Sequence, residues 1–209
     1  MKRTVLFLIC FLLLLSGCKM APEPDVPSDD APVTEAEIFD ESESYDIEYE
    51  SGATTDFIRA YSLQELINTS DYIVIASTDV PYADAEQKVS DFMGNTIDDF
   101  EKADLLCSYS VRPLTVKKVL KGDERETIDF CQNIIVKDDR MRVCCMEYPV
   151  WAGEEYILFL NRANSEREMY YMEPTEGAYN LDFEKNADTK NMSQQLAPEV
   201  KDYFSEYFK

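Results

Sequence analysis

Hydrophobic and polar positions divide the 209-residue chain into three stretches of different character. The first is an unbroken apolar run from Val5 to Leu15, preceded by Lys2 and Arg3. A bilayer-spanning helix needs about 20 predominantly apolar residues, so a short run behind a basic flank reads as a secretory signal core. The second stretch, 19–55, shows no period: it holds 12 Asp or Glu against Lys19 alone, with Pro22, Pro24, Pro27 and Pro32. Low hydrophobicity, like charge and proline predict a disordered, extended spacer. The alternative is a recognition segment, with Ile38, Phe39, Tyr45, Ile47 and Tyr49 set among the acids to dock on a basic partner. The third stretch, 56–209, has the length of a single domain and alternates short apolar runs with turns.

Within that domain, Ser62-x-x-Glu65 has the capping-box spacing and predicts a short helix with Leu63, Leu66 and Ile67 on its apolar face. Tyr72–Thr78 is a continuous β-branched run, the pattern of a buried strand. Residues 81–106 are acidic and irregular and read as an inserted loop. Ser108–Leu120 predicts a strand facing Leu114, Val116 and Val119 inward, ended by a turn at Lys121-Gly122-Asp123. Thr127–Val136, Met141–Tyr148 and Glu154–Leu160 follow as strands, and Glu168–Glu173 with Ala178–Phe183 predict a final pair. Short strands separated by turn signals indicate a sandwich or closed barrel. At the end the period changes: Pro198 suits a first helical turn, and Val200, Tyr203, Phe204, Tyr207 and Phe208 form a stripe at helical spacing.

Leu15-Ser16-Gly17-Cys18, directly behind the signal core, resembles the bacterial lipobox. That resemblance implies cleavage between Gly17 and Cys18, removal of residues 1–17 together with Cys10, and a diacylglyceryl group on Cys18. A linker, 18–55, would then hold the domain at the outer face of the cell membrane. More than one acyl chain is needed for stable retention, at about 0.8 kcal/mol per buried methylene.

Three strings, "TSDYIVIASTDV", "VKKVLKGD" and "WAGEEYILFLNR", occur in an order that resembles a group of uncharacterised surface lipoproteins of Gram-positive bacteria. The same order is similar to the barrel of netrin-like and metalloproteinase-inhibitor domains. The likeness covers about residues 62–183, apart from 81–106. It implies a mainly β domain over 56–209: an OB-like small closed barrel of about five to seven strands, with a short N-terminal helix and a C-terminal helix. The inhibitor family chelates a protease zinc through an N-terminal cysteine. Acylation and a long spacer remove Cys18 from such a role, so no inhibitory site residue carries over.

Charge and residue counts narrow the function. Loss of Lys2 and Arg3 leaves 18 basic side chains against 42 acidic ones. Nucleic acid and anionic lipid surfaces both attract basic segments, so neither is an expected partner. Basic proteins and cell-wall components are. The chain has no histidine, which removes the imidazole base of Ser-His-Asp and Cys-His arrangements. Carboxylate-pair glycan hydrolysis remains as a formal alternative, with Glu154-Glu155 as one pair among many. No phosphate-binding glycine loop or EF-hand spacing is present, and neither a cofactor nor a metal is expected. The expectation is a monomeric, non-catalytic binding or structural module, with a protease-inhibitor-like module as the second reading.

Cys107, Cys131, Cys144 and Cys145 form an even set outside the cytosol, which invites bridges joining Cys107 and Cys131 to the 144–145 pair. Free buried thiols are the alternative. Four aromatic residues, Tyr148, Trp151, Tyr170 and Tyr171, are candidates for an exposed binding surface; packing inside a small barrel is the competing reading.

Overall fold

The computed structural model describes residues 41–50, 60, 62–144, 147–163, 169–172, 176–186 and 194–209. The proposed signal, cleavage site and lipid attachment (Gly17 and Cys18) lie outside these residues, as does Cys145. Among the described residues no helix is long and apolar enough to cross a membrane.

The predicted β architecture is found. Five strands close a barrel: β2 (Tyr72–Ser77), β4 (Tyr109–Lys121), β5 (Thr127–Gln132), β8 (Glu155–Arg162) and β9 (Met169–Met172). Around the barrel, β2 pairs with β4, β4 with β5, β5 with β9, β9 with β8, and β8 with β2. All these pairs are antiparallel except β5–β9, which is parallel. Five strands in a closed Greek-key path make an OB-type barrel. Two further strands extend it: β3 (Glu86–Lys88) on β4, and β10 (Ala178–Asn180) on β8.

The barrel interior is filled by alternating residues, among them Val74, Ala76, Leu114, Phe130, Tyr156, Leu158, Leu160 and Tyr170. Outside, helices α1 (Leu63–Thr69) and α2 (Ala197–Tyr203) cover one wall. Their Leu63, Leu66 and Val200, with Phe204 just beyond α2, meet the outward-facing Ile73, Ile75, Ile157 and Phe159. Ser62 caps α1 as its spacing predicts, its Oγ accepting from the Glu65 amide at 3.2 Å. Tyr203 departs from the predicted stripe: it is 66 % exposed, while Val200, Phe204, Tyr207 and Phe208 pack on the wall.

Three predictions fail in instructive ways. Thr127–Val136 is not one strand; it bends at Asn133, and β6 (Ile134–Lys137) leaves the barrel for a second sheet. The bend is held because Asn133 donates its amide to Glu147 at 2.9 Å, and its carbonyl accepts from Cys144 at 3.0 Å. The last two strands do not pair with each other, since both β9 and β10 align on β8. Finally, the acidic spacer expected to reach residue 55 is structured over Glu41–Glu50. It forms a 3₁₀ turn at Glu41–Ser44 and then β1 (Asp46–Glu50).

β1 lies parallel to β7 (Arg140–Cys144), which pairs with β6 to complete a three-stranded sheet. Ile47 and Tyr49 turn toward the cluster of Tyr82, Ile134, Val136, Met141 and Val143. Their acidic neighbours find counter-charges on β7: Glu48 pairs with Arg140, and Glu50 with Arg142. Of the candidate recognition residues, Tyr45, Ile47 and Tyr49 thus pack on their own domain, while Ile38 and Phe39 lie outside the described residues. The 81–106 insertion is equally integral, since it packs on both faces of this sheet. Tyr82 fills one side; Phe100, Ala103 and Leu105 cover Ile135 and Cys144 on the other.

Candidate functional site

The four aromatic candidates do not share a surface. Tyr148 is buried in the barrel cluster and donates its hydroxyl to the Lys185 carbonyl at 2.7 Å. Burial pushes that phenol up to about 12. Trp151 sets its ring edge-on against Tyr82 at 5.9 Å. Tyr170 is buried against Tyr72, with ring centroids 5.3 Å apart. Only Tyr171 is outward and exposed, at 45 %. Neighbouring strand residues face opposite ways, so one of Tyr170 and Tyr171 had to be buried.

Among the described residues no bridge joins Cys107 or Cys131 to Cys144, and both appear as thiols; Cys145 lies outside the described residues. Cys131 faces outward on β5, half-buried, in the alternation that buries Ile128, Phe130 and Gln132. Burial, and secondarily the Glu147 carboxylate, raise its thiol to about 11. Cys144 is buried beneath Phe100 and Leu105.

The three strings singled out in the sequence meet at one end of the barrel, and their geometry gives them structural work. Gly122 has φ +107°, and a Cβ there would fall within the ring of Tyr72. Lys121 reaches the C-terminus of α1 and donates to the carbonyls of Ile67 at 2.8 Å and Ser70 at 2.6 Å. Cations suit a helix C-terminus, where backbone carbonyls lack partners. Asp71 accepts the Arg162 amide at 2.9 Å, tying β8 to the start of β2. Asp71, Tyr72, Gly122, Asp123, Arg162 and Tyr170 surround a shallow cavity of about 270 Å³.

The opposite end holds Glu154 and Glu155, the carboxylate pair of the hydrolase alternative, beside an open polar cleft of about 400 Å³. Both carboxylates are already engaged. Glu154 accepts from Lys185, from Asn180 and, at 2.8 Å, from the Tyr156 hydroxyl. Glu155 pairs with Lys117 and Lys209, and the Lys117 ammonium holds its pKa below the ordinary value. A general acid needs a raised pKa and a transferable proton. Glu155 is poised the other way.

Sequence reasoning missed the buried polar centre beneath these features. Arg112, 1 % exposed, lies over the Tyr82 ring at 3.5 Å and donates to the carbonyls of Val150 at 2.7 Å and Val80 at 3.2 Å and to Gln132. Tyr82 in turn donates to Gln132 and accepts from the Val150 amide at 3.0 Å. Glu41 accepts the amides of Tyr82 at 2.6 Å and Ala152 at 2.8 Å. The available signal was a single arginine within an apolar strand, "SVRPL". This centre joins insertion, second sheet and barrel.

What remains open is the wall of β4, β5 and β9. Among the described residues no helix covers it. It presents Pro113 and Thr115 from β4, Thr127, Asp129 and Cys131 from β5, and Tyr171 from β9. The register sets Thr115 beside Thr127 and Pro113 beside Asp129, which is paired in turn with Met169. This is a nearly neutral strip with one exposed ring and one carboxylate. No protein-family model matches the chain, and no curated protein matches it.

Proposed function

We propose that the chain is a lipid-anchored, extracytoplasmic binding module of the bacterial cell envelope, without catalytic activity. Acyl groups on Cys18 hold it, as a monomer, at the outer face of the membrane, and its domain engages a basic protein or a cell-wall component. The lipobox resemblance at Leu15–Cys18 supports the anchor. The uncovered β4–β5–β9 wall is the observation that carries the binding role. OB-type barrels take their ligands on the corresponding face, and here that face has Tyr171 to stack on a sugar ring or a side chain. The chain's excess of acid favours basic or neutral partners over nucleic acid.

Fractionation of cells tests the anchor. Wild-type protein incorporates labelled palmitate and stays with membranes, whereas Cys18→Ala is unlabelled and released; a membrane-bound Cys18→Ala protein contradicts the anchor. Capture from solubilised envelopes tests the binding role, which requires a partner retained by the folded domain.

A further inference from the structure

Five large apolar side chains stand out from the described surface, and three share one tip of the 81–106 insertion: Phe92 at 77 %, Met93 at 69 % and Leu106 at 39 % exposed. Two turns build this tip, each with an aspartate in its first position. Asp91 accepts the amides of Met93 and Asn95, both at 2.9 Å, and Gly94, at φ +77°, closes the turn onto the Asp91 carbonyl at 2.8 Å. Asp104 repeats the device, accepting the Leu106 amide at 2.9 Å while Cys107 closes onto its carbonyl at 2.9 Å. The turns are bound side by side: Asp104 donates its amide to Ser90 at 2.8 Å, and the Cys107 thiol lies 3.9 Å from the Phe92 carbonyl. Behind them Leu105, Ala103 and Phe100 anchor the tip in the core of the second sheet.

This apolar display does not lie loosely on a mobile loop. Asx-type turns hold the backbone, so little order remains to be gained on binding, which is the condition for a preorganised contact. Isolated exposed apolar residues are ordinary, but three on one braced tip mark an interaction site. The surroundings specify the partner. Asp91 and Asp104 brace the tip itself, and Asp98, Asp99 and Glu101 lie between them in sequence; Asp99 is paired with Lys102 at 2.8 Å and Glu101 with Arg140, which leaves the tip's own aspartates as its charge. Asp91 is held below the ordinary carboxylate range by its bonds to Asn95, so it stays charged at neutral pH.

We propose that this tip is a protein-docking knob whose partner presents an apolar pocket rimmed by lysine or arginine. Phe92 and Met93 enter the pocket, Leu106 seals its edge, and Asp91 and Asp104 meet the basic rim. An anionic lipid surface offers apolar depth but the wrong charge. The knob deepens the binding-module reading and rests on it, but it is distinct from the β4–β5–β9 wall.

The test uses the purified full-length chain and two synthetic helical peptides of equal charge, one with leucines at i, i+3, i+4 and i+7 among lysines and one with serine in place of leucine. The leucine peptide binds about tenfold more tightly than the serine peptide, and Phe92→Ser/Met93→Ser removes that margin without moving the thermal midpoint. Asp91→Asn, which keeps the turn's acceptor, weakens leucine-peptide binding a few-fold and flattens its salt dependence. A double variant that binds both peptides as wild type does overturns the knob. So does wild-type binding to phosphatidylglycerol vesicles that the double variant loses, since the tip would then be a membrane contact. Either result leaves the binding module itself to be decided at the β4–β5–β9 wall.

Discussion

The barrel has two outer walls built from the same kind of strand, yet they carry opposite chemistry. On the β10–β8–β2 wall, outward residues are as apolar as inward ones: Ile73, Ile75, Ile157 and Phe159 are buried under the helices. On the β4–β5–β9 wall, outward positions hold Pro113, Thr115, Thr127, Asp129 and Tyr171, while Leu114, Ile128, Phe130 and Tyr170 face in. A strand buried on both faces reads as a continuous apolar run, and a half-buried one alternates. The difference separates a wall sealed for stability from one left open, where we propose that recognition occurs.

The sharpest way to break this comparison is to truncate an outward residue on the covered wall. Phe159→Ala, fully buried between the edge-on rings of Tyr179 and Phe204, is expected to cost about 3–5 kcal/mol in chemical denaturation. A cost near zero would mean that the helices do not seal that wall. At the barrel end where the walls meet, Gly122→Ala introduces strain at φ +107° and drives a methyl into Tyr72. Together these should cost about 3 kcal/mol, read as a lowered denaturant midpoint.

A pH-dependent effect comes from the corner where β5 leaves the open wall. Burial raises the Glu147 carboxyl from 4.5 to about 8, even though the Asn133 amide favours the charged form. The folded state therefore holds a proton that the unfolded chain gives up. This contribution is complete below pH 4.5 and is lost as pH rises through about 8, at most about 1.4 kcal/mol for each pH unit between those values. Glu147→Gln keeps an acceptor for Asn133 and should flatten the fall in stability between pH 5 and 8.5. An unchanged slope would place the titrating group elsewhere.

On the open wall itself, effects on stability should nearly vanish. Tyr171→Ser and Thr115→Asn are each expected within about 0.5 kcal/mol of wild type. The Cys131 thiol, raised to about 11, should alkylate slowly at pH 8 and faster as pH approaches that value. Its presence as a titratable thiol in native protein also tests the absence of a bridge.

The same contrast explains how much could be read in advance. β2 and β8 were legible because burial on both faces makes long apolar runs, and α1 because its cap is local in sequence. β1 was not legible. Glu48 and Glu50 look like spacer until Arg140 and Arg142, some 92 residues later, neutralise them. Asn133 looked like mid-strand because the bond that bends the chain comes from Glu147. Of the site, Tyr171 was legible as one outward ring of a pair. The knob was hidden because braced turns built on aspartate share the composition of an irregular acidic loop.

Capture from solubilised envelopes with matched proteins tests the central claim, that the uncovered wall is the binding surface, most directly. Wild type, Phe159→Leu on the covered wall, and Tyr171→Ser/Thr115→Asn on the open wall would be immobilised at equal folded amounts. The account predicts that the first two retain the same specific partner and that the open-wall variant loses it with an unchanged melting midpoint. Equal retention by all three would contradict the assignment of that wall.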